Sequence, residues 1–253
     1  MSDEPTGPPV HTPEVVEFLR EAELDIEGRM PWSSNGTWLV NLLGTDDGTG
    51  TPRRAIYKPH AHERPLWDFP DGLYLREVAS YELSQHLGWN LVPPTVLRGG
   101  PHGVGSVQLF IEADFEQHYF TLMEADRNLE DFRALCAFDL VSNNTDRKSG
   151  HCLIGTDGHL WAIDHGLCFH TEYKLRTVIW EFSCESLEAP LRDDLETLLT
   201  NLNDSRSRLL RALRPLVSRQ EQQAIARRIA FLLKKGAYPE PLTHRRNYPW
   251  PPI

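Results

Sequence analysis

The order in which strand-like and helical stretches follow one another constrains this fold more than any other feature of the sequence. Up to about residue 112, short runs of β-branched and aromatic residues lie between turn formers, and the predicted order is strand, strand, strand, helix, strand, strand. Beyond that point the periodic stretches are mostly helical, and the stretch SRQEQQAIARRIAFLLKKG ends at Gly236. This order predicts an α+β fold with two lobes, a small β-rich lobe with one long helix and a mostly helical lobe.

The predicted lobes divide the chain into three ranges. Residues 1–13 form a flexible Pro-rich tail, residues 14–112 the β-rich N-lobe, and residues 113–253 the helical C-lobe. The C-lobe finishes in YPEPLTHRRNYPWPPI, which has too many prolines for a helix and predicts an extended strap, with Tyr248 and Trp250 packed across the helices. A two-lobed chain has a cleft between its lobes, and small-molecule sites commonly lie in such clefts.

Charge and cysteine use argue against several classes of protein. The chain carries 36 acidic and 26 basic residues, a formal net charge of -10, which argues against a nucleic-acid binder held by phosphate attraction. It has no apolar run of about 18 residues, so no transmembrane helix is predicted, and its N-terminus lacks the features of a signal peptide. A cytoplasmic location is the expectation. The four cysteines include no CxxC pair, which favours reduced thiols.

Two charged residues of the N-lobe match the needs of phosphoryl transfer. Lys58 lies on the third predicted strand, in AIYKP, and Glu77 opens the helix that follows. A transferred phosphate needs an ammonium group to meet it and a carboxylate to orient that ammonium, and a strand lysine paired with a helix glutamate supplies both. Each residue alone is more simply an exposed charge, so the prediction depends on the pair.

Two further stretches of the N-lobe are candidates for nucleotide contacts. Backbone amides and hydroxyls of the turn between the first two strands could cradle phosphates, although a plain hairpin turn is the simpler interpretation. The turn residues are Ser33, Ser34, Asn35 and Gly36. The stretch GSVQLFIE leads towards the inter-lobe link, where the backbone would bind an adenine edge, although an ordinary buried strand fits equally well. The residues concerned are Gln108, Phe110 and Ile111.

The segment SNNTDRKSGHCLIGTDGHLWAIDHG, residues 142–166, gives the strongest functional signal. It predicts a hairpin, with Asp146 in the loop before it, His151 at the start of its first strand and Asp164 at the end of its second. A loop aspartate can accept the proton of an attacking hydroxyl, and a strand-end aspartate can hold Mg²⁺, which prefers carboxylate and phosphate oxygens. The ordered pair therefore predicts one catalytic and one metal-binding carboxylate.

Together these motifs resemble the phosphatidylinositol 3-/4-kinase family and its bacterial relatives with a protein-kinase-like fold, including HipA-like kinases. The resemblance is to a small actinobacterial branch. It implies that Lys58 binds the phosphates of ATP, that Glu77 holds Lys58, and that HLGWNLVPPT precedes the hinge. It also implies that Asp146 and Arg147 belong to the catalytic loop and that Asp164 binds a metal ion, Mg²⁺ or Mn²⁺.

One position departs from the family pattern, which extends over about residues 30–170. The family usually places asparagine five residues after the catalytic aspartate, and this chain has His151 there. Imidazole is a poorer ligand for Mg²⁺ than an amide oxygen and suits Mn²⁺ or Zn²⁺ better. Three outcomes are open: His151 binds a metal, Asn143 or Asn144 replaces the missing amide, or the site is degenerate.

The preferred hypothesis is an ATP-dependent kinase that acts on a protein or a soluble hydroxyl compound, because anionic membranes repel a chain of this charge. In that hypothesis Arg147 is more simply an anchor of the catalytic loop than a reacting group. The first alternative is a nucleotide-binding pseudokinase with a regulatory role, and transfer of AMP on the same fold is a variant of the kinase.

A metal-dependent hydrolase is the remaining alternative, although it leaves the lysine–glutamate pair unexplained. Its ligands would be His151, Asp164, His165 and His170. Loop histidines are usually solvated or hydrogen-bonded groups, so each needs support from the structure. Two more histidines, next to Lys58, are candidates for the cleft: His60 and His62.

Overall fold

The chain has the predicted α+β architecture, with an antiparallel sheet in one lobe and helices in the other. The computed structural model describes residues 12–31, 35–44 and 53–253. The elements of the N-lobe are α1 (Pro13–Glu21), β1 (Glu23–Arg29), β2 (Trp38–Leu43), β3 (Arg53–Pro59), α2 (Leu73–Leu87), β4 (Thr95–Gly100) and β5 (Gly103–Leu109). The predicted order of five strands around one long helix is confirmed.

The five strands form one antiparallel sheet in the order β1-β2-β3-β5-β4. The central strand β3 pairs with β2 on one side and with β5 on the other, and Lys58 lies opposite Ser106 of β5. Successive side chains of a strand point to opposite faces, so Ala55 and Tyr57 are fully buried while Lys58 projects from the other face. The sheet register therefore directs the lysine away from the core of its own lobe.

A small apolar core lies between the sheet and α1. The hydroxyl of Thr12 accepts a hydrogen bond from Val15 N and caps the helix at its start. Val15 and Leu19 are buried against sheet residues that include Val40 and Val107. Because this core holds both neighbours of β3, it fixes the strand that carries the lysine.

Helix α2 joins the two lobes. It contacts β4 and β5 of the sheet, and also α5 (Ala189–Asn203) and α6 (Arg208–Leu213) of the C-lobe. Its buried Arg76 donates a hydrogen bond to Glu221 Oε1 at 2.6 Å. Because Glu77 follows Arg76 in the chain, this buried ion pair also fixes the position of Glu77 relative to the C-lobe.

The C-lobe is built around one large apolar core to which all of its helices contribute. Its remaining elements are α3 (Tyr119–Glu124), α4 (Leu129–Ser142), a 3₁₀ turn (Ser149–His151), β6 (Cys152–Ile154), β7 (Leu160–Ala162) and α7 (Arg219–Lys235). The two strands pair as the predicted hairpin. Helix α7 begins at a capping box of Ser218 and Glu221, and its end at the C-cap Gly236 is where the sequence predicted it. None of the described helices is both long and apolar enough to cross a membrane.

The segment after α7 contains no helix or strand among its residues, in agreement with the predicted strap. The prediction that Tyr248 and Trp250 pack across the helices is wrong, because Tyr248 is 51% exposed and Trp250 is 77% exposed. The strap is held at its start by Tyr238, which is buried in the C-lobe core, and near its end by the Pro252 carbonyl oxygen, which accepts a hydrogen bond from Ser149 N at 2.9 Å. Its end therefore lies against the 3₁₀ turn that precedes β6.

Candidate active site

Lys58 lies at the centre of a charged cluster where the two lobes meet. Its Nζ donates hydrogen bonds to Glu77 Oε1 and, at 2.9 Å, to Asp164 Oδ1. The other oxygen of Glu77 accepts from His165 N at 2.9 Å. Since α2 begins at Leu73, Glu77 lies in its second turn rather than at its start, too far along for the helix dipole to explain its position. The ammonium group of Lys58 thus links Glu77 and Asp164, which lie far apart in the sequence.

Burial and mutual charge shift the pKa values of these three groups. Burial alone would lower the pKa of Lys58, but the carboxylates of Asp164 and Glu77 outweigh it and raise that pKa. The charge of Lys58 holds the pKa of Asp164 well below its usual range, against the opposing effect of burial. Burial raises the pKa of Glu77. Lys58 is therefore a fixed cation at neutral pH, and Asp164, whose side chain is half exposed, is a fixed anion.

The backbone at Asp164 adopts an unusual conformation. Strand β7 ends two residues earlier, and Asp164 has a φ of 60°, in the left-handed region that few residues other than glycine adopt. Such strain persists where surrounding contacts hold it, and the hydrogen bond from Lys58 is one such contact. The turn brings the carboxylate into the cluster rather than leaving it on the strand.

Asp146 lies beside this cluster, in the loop after α4. Its backbone amide donates to Asn144 Oδ1 at 3.0 Å, and its carboxylate lies 3.6 Å from Lys148 Nζ. Burial raises the pKa of Asp146 to about 6; the charge of Lys148 opposes this rise and that of Asp164 adds to it. A carboxylate with such a pKa can take up a proton near neutral pH more readily than an ordinary aspartate.

The side chain of Arg147 is fully buried in a network behind the cluster. It pairs with Asp139 of α4 through two bonds, Nε to Oδ2 and Nη2 to Oδ1, each 3.0 Å long. Its Nη1 donates to the Ile163 carbonyl oxygen at 2.9 Å, and its Nη2 lies 2.7 Å from His165 Nε2. Arg147 therefore connects α4 with the residues on either side of Asp164. This placement fits an anchor of the loop rather than a group that touches substrate.

His151 lies on the other side of Asp164 from Lys58. Its Nε2 is 3.5 Å from Asp164 Oδ2, and its Nδ1 accepts a weak hydrogen bond from Lys148 N at 3.4 Å. Burial lowers the pKa of His151 to about 4, so its ring is neutral at neutral pH. Neutral imidazole is the form that binds metals. Nε2 and the carboxylate oxygen are thus close enough to serve a single ion once the ring proton moves from Nε2 to Nδ1, which gives up the weak bond from Lys148 N.

Neither asparagine of the loop offers a free amide oxygen in place of the expected ligand. Asn143 and Asn144 are both fully buried. The Oδ1 atom of Asn143 accepts from Lys174 N at 2.9 Å, and that of Asn144 accepts from Asp146 N at 3.0 Å. Because both oxygens hold the loop in shape, the histidine is the better candidate at the position where the resemblance implies an amide.

The turn between β1 and β2 is partly bound to the segment after β3. Outside the described residues lie Ser33 and Ser34. The side-chain oxygen of Asn35 accepts from Arg64 N, and Gly36 N donates to the His62 carbonyl oxygen at 3.1 Å. A side chain at position 36 would begin 2.4 Å from His62 Cβ, so only glycine permits this contact. A phosphate-binding role for the turn stays a prediction.

The residues expected to meet adenine are largely engaged within the sheet. Gln108 Nε2 donates to Thr95 Oγ1 at 2.8 Å, and Phe110 N donates to the Arg54 carbonyl oxygen at 3.0 Å. Ile111 is buried beside the hairpin of the C-lobe. An adenine edge would therefore need polar groups of the backbone from Ile111 onward, and this contact also stays a prediction.

Two histidines near Lys58 have local structural partners. His60 lies with Glu63 and Asp71 in the group of three potential metal ligands that the described part of the chain contains. Both oxygens of Glu63, however, accept hydrogen bonds from the first amides of α2. The ring of His62 accepts a hydrogen bond from Trp38 Nε1 at 3.0 Å. Neither histidine joins the lysine cluster through a contact of its own.

The ligand set of the hydrolase alternative does not assemble. His165 is fully buried against Arg147, and the ring of His170 packs on Phe69 with centroids 5.2 Å apart. Within residues 12–31, 35–44 and 53–253, no three of the four proposed ligands come together. We therefore set the metal-dependent hydrolase aside.

Three residues of the site region were not singled out in the sequence. Asp139 carried a signal, because an aspartate inside a strongly apolar helix is rarely buried without a partner. Lys148 follows the Asp146-Arg147 pair directly, so its contact with Asp146 could have been anticipated. Arg176 gave no local signal, because its contacts with the loop depend on tertiary structure.

Comparison with known proteins relates the whole chain to one curated protein. The chain is 35% identical to Protein Rv2133c of Mycobacterium tuberculosis (strain ATCC 25618 / H37Rv) over 271 aligned positions, which cover 92% of this chain and 93% of that protein. No family model matches the chain. The identity and the coverage together establish a shared family, although the name of this relative states no activity.

Comparison with solved structures identifies a kinase-like fold. A hydra Fam20 structure determined with sugar superposes with a TM-score of 0.57 at 12% identity, and the match covers 87% of each chain. A Golgi casein kinase with Mn and ADP bound superposes with a TM-score of 0.57 at 14% identity, covering 95% of this chain and 80% of the kinase. At such low identity these matches establish the fold alone.

Proposed function

The chain belongs to the same family as Protein Rv2133c, and from its kinase-like fold and the contacts of Lys58 we propose that it is an ATP-dependent phosphotransferase. The observation that carries this proposal is the ammonium group of Lys58, which meets Glu77 of the N-lobe and Asp164 of the C-lobe at once. Phosphoryl transfer needs such an oriented cation beside a metal-binding carboxylate.

Each charged residue of the cluster has a role in this proposal. ATP and a divalent ion, when bound, supply the phosphoryl group and the positive charge that stabilises its transfer. Lys58, held by Glu77, binds phosphate oxygens, while Asp164 and His151 hold the ion. Asp146 orients the acceptor hydroxyl and takes its proton, which its raised pKa favours.

The donor set fits a divalent ion. Asp164 offers a half-exposed carboxylate that is ionised at neutral pH, and the neutral ring of His151 offers a nitrogen 3.5 Å from it. Because one of the two ligands is imidazole, we propose Mn²⁺ as the preferred ion and Mg²⁺ as a poorer one. The presence of Mn and ADP in the Golgi casein kinase structure supports this choice.

We propose a protein side chain or a soluble alcohol as the acceptor. The phosphatidylinositol 3-/4-kinase type remains a proposal that rests on the sequence motifs. A lipid acceptor would bring the chain, with its net charge of -10, against an anionic membrane surface that repels it.

The first experiment measures nucleotide binding by thermal unfolding of the purified chain. ATP with Mn²⁺ should raise the unfolding temperature, and the Lys58→Met variant should lose this increase. Hydrolysis or autotransfer of γ-labelled phosphate measures turnover in the same samples. If no adenine nucleotide stabilises the protein with either metal, the proposed function is excluded.

A pseudokinase is the second candidate, because His151 stands where the family pattern has an amide ligand. It predicts that ATP binds without turnover and that Asp146→Ala leaves binding unchanged. If the wild type transfers phosphate and Asp146→Ala abolishes this transfer, the result supports the enzyme over the pseudokinase. Labelling ATP at the α rather than the γ position separates AMP transfer from phosphate transfer.

A further inference from the structure

The segment after Asp164 brings Arg176, a cation that forms no ion pair within the described residues, to the edge of the site. Arg176 N donates to the Asn144 carbonyl oxygen at 2.9 Å, and the Arg176 carbonyl oxygen accepts from Arg147 N at 3.0 Å. These backbone bonds hold residue 176 against the loop on both sides of Asp146. Among the described residues, the partly exposed guanidinium of Arg176 forms no ion pair and no side-chain hydrogen bond.

The electrostatic effect of Arg176 reaches Asp146. The guanidinium acts to lower the pKa of the Asp146 carboxyl group, although burial and the charge of Asp164 outweigh it, and it acts in the same direction on the pKa of Asp68. Two other cations of this region already have anionic partners. Lys148 pairs with Asp146, and Lys174 pairs with Asp68 at 2.9 Å. Arg176 is therefore the cation that an incoming acceptor can meet beside the catalytic carboxylate.

Exposed tryptophans lie on the segments bound to each end of this stretch. Lys174 also donates to the Asp68 carbonyl oxygen, which ties down the loop where Trp67 is 96% exposed. At the other end, Thr177 N donates to the carbonyl oxygen of the strap residue Asn247 at 3.0 Å. The strap carries Trp250, 77% exposed. Solvent-exposed indole side chains on a backbone that is held in place are typical of recognition surfaces.

We propose that the partly exposed side chain of Arg176 faces the acceptor and selects one that carries a carboxylate or phosphate beside the hydroxyl that is phosphorylated. Trp67 and Trp250 flank this position and contact the rest of the acceptor. The inference rests on the proposed phosphotransferase function and specifies its acceptor. An anionic acceptor is repelled by most of a surface whose net charge is -10, so a local cation directs it to the site.

The strap contributes further positive charge to this side of the molecule. Arg245 Nη1 donates to the Tyr173 carbonyl oxygen at 2.7 Å, so its charge lies beside the segment that leads to Arg176. The next residue, Arg246, is exposed as well. These cations strengthen the attraction for an anion, but they lie on the strap, whereas the backbone of Arg176 is bonded directly to the catalytic loop, so Arg176 remains the selecting residue.

The test compares matched anionic and neutral acceptors on the nucleotide-loaded protein. The chain is saturated with a non-hydrolysable ATP analogue and Mn²⁺. One pair is a labelled peptide with a central serine flanked by glutamates and its glutamine counterpart, measured by fluorescence anisotropy. The other pair is glucose 6-phosphate and glucose, measured by calorimetry. The variants are Arg176→Gln and, as a control, Arg206→Gln, which removes an equal charge from the turn between α5 and α6, where it is 91% exposed.

In the wild type, the anionic member of at least one pair should bind about fivefold more tightly than its neutral counterpart. Arg176→Gln should abolish this preference, while Arg206→Gln should keep it. Arg176→Lys should retain most of the preference, because lysine keeps the positive charge and residue 176 is held in place by its backbone. Trp250→Ala should weaken both members of the preferred pair by a similar factor.

Two outcomes would overturn the inference: neither pair is discriminated by the wild type, or the preference survives in Arg176→Gln. Nucleotide binding is measured in the same samples by thermal unfolding. Absence of nucleotide binding counts against the phosphotransferase itself. Nucleotide binding without any preference for anions counts against the acceptor site alone.

Discussion

Replacing Asp146 by asparagine should make the protein more stable while it removes activity. Burial disfavours the charge of Asp146 and raises its pKa from the ordinary 3.8 to about 6. A difference of about 2 pKa units corresponds to about 3 kcal/mol at neutral pH. The side chain is 30% exposed, and the substitution also removes its contact with Lys148. We therefore expect a net gain in the free energy of unfolding of about 1 to 2 kcal/mol.

The gain should depend on pH in a defined direction. Below about pH 3.8 the carboxyl group is protonated in both the folded and the unfolded chain, so the wild type carries no penalty. As the pH rises towards 6, the unfolded chain ionises first, and the wild type loses stability relative to Asp146→Asn. Above pH 6 the penalty is fully present. The substitution should therefore have little effect near pH 4 and its full effect near pH 7.5.

Urea unfolding at several values between pH 4 and 7.5 measures this difference, and thermal unfolding at pH 7.5 should show a rise of about 2 to 8 °C. Asp193→Asn is the matched control, because Asp193 is exposed on α5. A stability difference that stays constant with pH, or a variant less stable than the wild type at pH 7.5, would refute the reasoning. Phosphate transfer by the wild type should rise as the pH passes through about 6, and Asp146→Asn should lower it about 100-fold or more.

Three further substitutions test the rest of the cluster. Lys58→Met should abolish stabilisation by ATP and cost about 3 to 5 kcal/mol in urea unfolding, because it leaves Glu77 buried without its cation; adding Glu77→Gln should recover most of the stability but no nucleotide binding. Arg147→Gln should cost a similar amount, about 3 to 5 kcal/mol, because Asp139 would be left buried and unpaired; a loss below about 1 kcal/mol would show that the pair is not buried in solution. His151→Asn should lower the ratio of turnover with Mn²⁺ to turnover with Mg²⁺ several-fold in metal titrations, and an unchanged ratio would remove His151 from the ligand set.

Most of the fold could be predicted from the sequence because its signals are local. The turn Thr156-Asp157-Gly158 lies between the two strands of the C-lobe hairpin, and Gly236 ends the last helix. Helical and strand periodicities depend on neighbours in the chain, so they survive in an isolated sequence. The order of strands within the sheet, where β5 rather than β4 pairs with β3, carried no such signal.

The same reasoning predicted only part of the candidate site. The order of Lys58, Glu77, Asp146 and Asp164 suggested a site, and the first, second and fourth of these are joined by hydrogen bonds in the structure. The position of Glu77 within its helix differed from the expectation, since the N-terminus of α2 lies at Leu73. The Asn35 and Gly36 contacts with residues 62–64 could not be foreseen, because they depend on the antiparallel pairing of β2 with β3, in which Trp38 lies opposite Tyr57.

The sequence by itself determined which residues form helices, strands and turns, and which residue types could serve a phosphate and a cation. Tertiary structure decided which of those residues meet, which are buried, and how burial changes their charge. It placed Arg147 in a buried network with Asp139, left Trp250 in water, and brought Arg176 to the catalytic loop. The physical reason is that hydrogen-bonded periodicity is a property of neighbours along the chain, whereas burial and pKa depend on groups that only folding brings together.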